Sequence, residues 1–85
     1  MLNKYNELLE MLKEKYNVSE FCELETEYSA YIDNNNIIVS IYLENEGIEI
    51  YIQEKGEEEN LAIESKTYKN VKHAYNFIKR YLEDF

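Results

Sequence analysis

Carboxylates and phenols are the side chains that this sequence sets densely enough to do chemistry. Glu23, Glu25 and Glu27 alternate along one stretch. Glu44 and Glu49 flank a turn-like segment, Glu57, Glu58 and Glu59 are consecutive, and Tyr31, Tyr42 and Tyr51 fall among them. Alternate residues of an extended strand share a face and stand about 6.6 to 6.8 Å apart. That spacing is similar to the separation of successive phosphates along a nucleic-acid strand. A row of fixed charges so spaced suits a groove built for phosphates, and tyrosine adds the apolar contact that glutamate lacks. The chemistry on offer is electrostatic recognition.

Of the 18 acidic residues in the 85-residue chain, 13 lie between Glu20 and Glu64, where Lys55 is the only base, so that stretch carries a formal charge of −12. Residues 1–19 are balanced, and residues 65–85 carry +3. A regional excess of this sign favours a basic partner and opposes direct binding of nucleic acid, because the basic side chains of the last segment (Lys66, Lys69, Lys72, Lys79, Arg80) sit beside a strongly repelling one. Glutamate on the wet face of a sheet is ordinary. It is also a poor strand former whose like-charged neighbours destabilise the sheet, so a cluster points to a use beyond folding.

Catalysis has little to work with, and the chain is read as a non-enzyme. The single histidine, His73, lies among lysines on a helix exterior, and the single cysteine, Cys22, is next to Glu23, which disfavours the thiolate. Neither glycine belongs to a phosphate loop. The Glu57-Glu58-Glu59 run lacks the spaced ligands of a calcium loop, and no metal or cofactor is expected. No apolar run reaches the roughly 18 residues that a membrane-spanning helix needs, and the lone cysteine fits a reducing compartment, so a cytoplasmic location is expected.

The elements that must position these residues follow from periodicity. Leu2, Tyr5, Leu8, Leu9, Leu12 and Tyr16 make a helical stripe over about 3–16, with Asn3 as cap and Asn17 as the left-handed residue closing it. From Phe21 to Ile32 the period is two. Cys22, Leu24, Thr26, Tyr28, Ala30 and Ile32 form one face, and Phe21, Glu23, Glu25, Glu27, Ser29 and Tyr31 the other. Asp33 to Asn36 is a turn. Strands over about 37–44 and 48–54 send Ile37, Val39, Ile41, Leu43, Ile48, Ile50 and Ile52 inward, with the Asn45-Glu46-Gly47 turn between them. Residues 55–60 form a loop, Leu61 and Ile63 suit a short fourth strand, and a helix over about 67–84, capped by Thr67 or Ser65, ends the chain.

This order predicts one α+β domain over residues 1–85, α-β-β-β-(β)-α, an antiparallel sheet with two helices packed on one face. Pairing Ile32 with Ile37 and Leu43 with Ile48 would place Tyr42 between Glu27 and Glu49, Ser40 between Ser29 and Tyr51, and Glu44 beside Glu25, with Tyr31, Tyr42 and Tyr51 exposed.

In composition and element order, carried by Glu23, Glu25, Glu27, Tyr42, Glu44, Glu49, Tyr51 and Glu57 to Glu59, the chain resembles small acidic phage-encoded inhibitors of bacterial defence, the DNA-mimicking anti-CRISPR proteins. The resemblance implies a stoichiometric inhibitor in the bacterial host cytoplasm that blocks the Lys/Arg-lined nucleic-acid channel of a CRISPR effector. Its implied contacts are those residues together with Tyr31. Two other readings fit the same sequence: an acidic immunity protein or antitoxin capping a basic toxin nuclease, and a small homo-oligomeric accessory protein that pairs through its open sheet face.

Overall fold

A computed structural model describes residues 1–23 and 26–84, the side chains of residues 22–27 and 84 excepted. The chain runs α1 (Leu2–Lys13), β1 (Val18–Glu23), β2 (Thr26–Asp33), β3 (Ile37–Glu44), β4 (Gly47–Glu54), β5 (Leu61–Tyr68) and α2 (Val71–Asp84). The strands form one antiparallel meander in the order β1-β2-β3-β4-β5. Both helices lie on the same side, as the α+β expectation required. Tyr5, Leu8, Leu9 and Leu12 of α1 and Ala74, Phe77, Ile78 and Leu82 of α2 are buried against Ala30, Ile32, Ile37, Val39, Ile41, Ile48, Ile50 and Ile52 of the sheet. Each fully buried Leu or Ile contributes about 1.5–3 kcal/mol by leaving water, so this aliphatic layer dominates the fold's stability.

The sheet has five strands where three and a short fourth were expected. The 21–32 segment, read as one strand, is a hairpin: Val18 pairs with Ile32 and Phe21 with Ser29, and the chain reverses between Glu23 and Thr26. The pairs from Val18–Ile32 to Phe21–Ser29 have the same parity, so the alternation stays in step over the outer part of the hairpin and period alone does not disclose it; an irregularity between Phe21 and Glu23 then shifts the register to put Glu23 opposite Thr26. The fourth expected strand is the full-length edge strand β5, which takes in Ser65 and Thr67, the residues expected to cap the last helix. That cap is Asn70, whose side-chain oxygen accepts from the His73 N–H at 3.0 Å. At the first helix the cap position is Met1 rather than Asn3, with no side-chain cap bond. Among the described residues no non-glycine residue has positive φ, so Asn17 is not a left-handed stop. The last turn of α1 instead tightens through Lys15 and Tyr16 N–H groups that both donate to the Leu12 carbonyl.

The β3–β4 register is the expected one, Leu43 opposite Ile48. The β2–β3 register differs by two residues, Ile32 opposite Val39 rather than Ile37. The Asn34 N–H donates to the Ile37 carbonyl at 2.9 Å, which brings the reversal down to Asn35 and Asn36. A two-residue shift leaves every side chain on its own face, so the hydrophobic pattern permits both registers.

Both helices point the same way along the sheet. Near their starts the Lys4 ammonium donates to the Lys69 carbonyl at 3.0 Å, and near their ends the Tyr16 hydroxyl donates to Glu83 at 3.1 Å. Asn34 Nδ2 donates to the Leu82 carbonyl at 3.4 Å and ties the end of α2 to the β2–β3 turn. The Lys13–Glu20 ion pair, at 3.2 Å, joins α1 to edge strand β1.

Gly47 opens β4 at φ 155°, and a Cβ there would lie 2.6 Å from the Tyr68 carbonyl oxygen of β5. Neither backbone can yield without breaking the ladder. Gly47→Ala is therefore expected to destabilise the fold by about 1–3 kcal/mol in denaturant melts; an unchanged midpoint would show that the strands separate freely at this point.

The Tyr5 hydroxyl is buried and has no hydrogen-bond partner among the described residues. Burial, and secondarily the charge of Glu20, push its pKa up to about 12. Tyr16 is also pushed up to about 12, by burial first and then by its hydrogen bond to Glu83. In the unfolded chain these phenols ionise near pH 10. The folded chain thus keeps protons that the unfolded chain releases, so stability is full below about pH 10 and is lost as pH rises towards 12. Tyr5→Phe removes an unsatisfied buried group. It is expected to stabilise the protein by about 1 kcal/mol at neutral pH and to flatten the alkaline loss, both read from denaturant melts across that window.

Candidate functional site

The face away from the helices has its own thin layer. Its cross-strand rows are Phe21–Ser29–Tyr42–Glu49–Thr67 and Ser19–Tyr31–Ser40–Tyr51–Ser65. Ser29 is 1% exposed and Ser40 8%, although no helix lies over them. Their burial comes from the aromatic side chains on either side. The Phe21 ring packs on Tyr31 at 5.7 Å and on Tyr42 edge-on at 6.3 Å between centroids. Small hydroxyl residues alternate with large rings, and the rings lean over them.

This changes what the expected contact tyrosines present. Tyr31 is exposed, at 37%, whereas Tyr42 and Tyr51 are half-buried, each offering part of a ring. Tyr42 lies between Ser29 and Glu49, not between two glutamates, and Ser40 lies between Tyr31 and Tyr51 rather than between Ser29 and Tyr51. Tyr28, expected to face the core, is 40% exposed at its margin, with its ring against Tyr5 at 6.1 Å.

Glu44 and Glu49 are brought together at the β3–β4 turn. With Asn45, Glu46 and Thr67 they line an open cleft of about 440 Å3. Glu46 was not among the expected contact residues, because its place between Asn45 and Gly47 reads only as a turn. The tight Glu44–Gly47 pairing is what sets it beside the other two carboxylates. None of the three has a cationic partner within 4 Å among the described residues. Lys55, the one base of the acidic stretch, is paired with Asp33 at the opposite end of the sheet.

The antiparallel order places the β1–β2 reversal at the same end as Glu44, Glu46 and Glu49. The backbone positions of Glu23 and Glu27 are therefore at this end, while their side chains, and Glu25 altogether, lie outside the described residues. Glu57, Glu58 and Glu59 are exposed in the β4–β5 loop at the other end. The seven residue steps of β4 separate the two acidic groups by about 24 Å. One small contact cannot use both.

Compared with known protein families, curated proteins and solved structures, the chain matches none. Among the described residues no group of three or more His, Cys, Asp or Glu side chains is arranged to hold a metal ion. None of the helices described is long and apolar enough to cross a membrane.

Unpaired like charges at one turn oppose folding. Replacing Glu44, Glu46 and Glu49 together by Gln is expected to stabilise the chain by about 0.5–1 kcal/mol at low ionic strength, with the gain fading in high salt. Denaturant melts at the two ionic strengths measure this. A loss of stability would mean that the carboxylates serve the fold itself.

Proposed function

We propose that the protein is a stoichiometric inhibitor of the anti-CRISPR, nucleic-acid-mimicking type, which binds the basic nucleic-acid channel of a CRISPR effector through the acidic end of its open sheet face. The observation that carries this reading is the placement of Glu44, Glu46 and Glu49, unpaired among the described residues, beside the Phe21, Tyr31 and Tyr42 layer on a face that no helix covers. Carboxylates that are left without counter-ions in the free protein are available to the lysines and arginines of a partner without first breaking an internal ion pair. Complementary charge speeds encounter. Rings that are already packed against one another lose little freedom on binding, so their apolar contacts slow release at small entropic cost. The rigid strands hold the carboxylates at fixed spacing, as a phosphate mimic requires.

The test is target-DNA binding by a panel of purified CRISPR effectors, measured with and without equimolar protein. One effector is expected to lose DNA binding, with inhibition weakening as salt rises. The Glu44/Glu46/Glu49→Gln variant should need at least about tenfold more protein for the same effect. No inhibition across the panel would reject the reading. Inhibition that the variant retains in full would move the contact away from this end of the sheet, and selective inhibition of a toxin nuclease instead would favour an immunity protein.

A further inference from the structure

The helix side of β5 carries an arrangement that the acidic face does not explain. Helix α2 lies against β3, β4 and β5, and the edge strand leaves a groove beside it. Glu64, Lys66 and Tyr68 of β5 face His73, Asn76, Phe77, Arg80 and Tyr81 of α2 across a space of about 360 Å3. Arg80 is the only arginine in the chain.

Charge within the groove runs against that of the whole molecule. The Glu64 carboxylate accepts a hydrogen bond from the Tyr81 hydroxyl and has the Lys66 ammonium 3.9 Å away. Lys66 also lies 5.8 Å over the Phe77 ring. Arg80 and His73 have no carboxylate within ion-pair distance among the described residues. Among the described residues, then, the one acid of the groove is already engaged and the Arg80 guanidinium has no carboxylate partner. Arginine offers a planar fork of donors matched to two oxygens of a phosphate or carboxylate.

The rest of the lining fixes the kind of anion. A bare oxyanion would fill only a small part of a space this large, which falls in the range of sites for small organic molecules, about 300–1,000 Å3. Phe77, 6% exposed, forms part of the wall with Tyr68 at 5.5 Å and Tyr81 at 5.3 Å between ring centroids. A ring cluster beside a cationic rim suits a ligand with a planar part and an anionic end.

We infer that the β5–α2 groove binds a phosphate monoester carried on a planar group, of the nucleoside monophosphate class, with Arg80 and Lys66 on the phosphate and the Tyr68, Phe77 and Tyr81 rings along the planar part. This site is separate from the acidic end of the open face and does not depend on the inhibitor reading.

Titration of the isotope-labelled full chain with AMP, adenosine and inorganic phosphate, followed by amide chemical shifts, tests it. AMP should give saturable shifts confined to residues 64–68 and 73–81, inorganic phosphate weaker shifts at the same residues, and adenosine none. Arg80→Gln should weaken AMP binding by about tenfold or more, and Lys66→Gln provides a second exposed position should the first variant disturb the helix. Glu64→Gln should tighten binding, because it removes the one opposing charge. Absence of saturable shifts at millimolar AMP, AMP affinity unchanged from the parent chain in both Arg80→Gln and Lys66→Gln, or adenosine binding equal to that of AMP would each overturn the proposal.

Discussion

Everything in this fold depends on a sheet that is covered on one side only. Two short helices, one at each end of the sequence, pack on the layer formed by Ile37, Val39, Ile41, Ile48, Ile50 and Ile52. Among the described residues no other element covers the second face, which an antiparallel sheet leaves to its own side chains and to water. The protein meets this with side chains alone, setting Phe21, Tyr31, Tyr42 and Tyr51 over Ser29 and Ser40. The aromatic layer is therefore structural before it is anything else. Its availability to a partner comes from the rings being only half-covered themselves.

The same asymmetry explains what could be read from the sequence. Face assignment was legible throughout β3 and β4, because alternation of Ile and Val with polar residues reports directly which side meets the helices. Register was legible only where a turn fixed it. Asn45-Glu46-Gly47 allows one close pairing, whereas the Asp33 to Asn36 stretch allows two that differ by two residues and bury the same side chains. That ambiguity moved Tyr42 from between two glutamates to between Ser29 and Glu49. The β1–β2 reversal was invisible for a related reason: the pairs from Val18–Ile32 to Phe21–Ser29 share parity, and Leu24-Glu25 has none of the Gly, Asn or Pro that usually marks a turn. Strand β5 carries no clear alternation, since an edge strand can be held by its backbone ladder to β4 while most of its side chains stay in water. Its polar Ser65-Lys66-Thr67 run then resembled a helix start.

Of the expected contact residues, the fold unites Glu44 and Glu49 with the tyrosine layer and adds Glu46, but sends Glu57 to Glu59 to the far end of the sheet. Composition could not have shown this. A charge count treats the acidic stretch as one object, and only the meander decides which of its turns share an end. Turns β1–β2 and β3–β4 fall together because they are separated by an even number of strands' travel, and the β4–β5 loop is excluded by one further strand.

The charge pattern of the whole molecule follows from the last crossing of that meander. Strand β5 returns the chain alongside acidic β4, and its helix side begins the basic region that α2 continues. Sheet hydrogen bonds thus hold an acidic surface and a cationic groove on opposite sides of the same edge. In water the two regions would attract and could collapse on one another if the segments were loosely joined. The ladder prevents this, because Thr67 reaches the open face beside Glu49 while Lys66 next to it points to α2. One residue of strand is enough to change the face, and with it the sign of the charge presented. A chain with a formal charge of −9 in this way keeps its arginine without a carboxylate partner among the described residues.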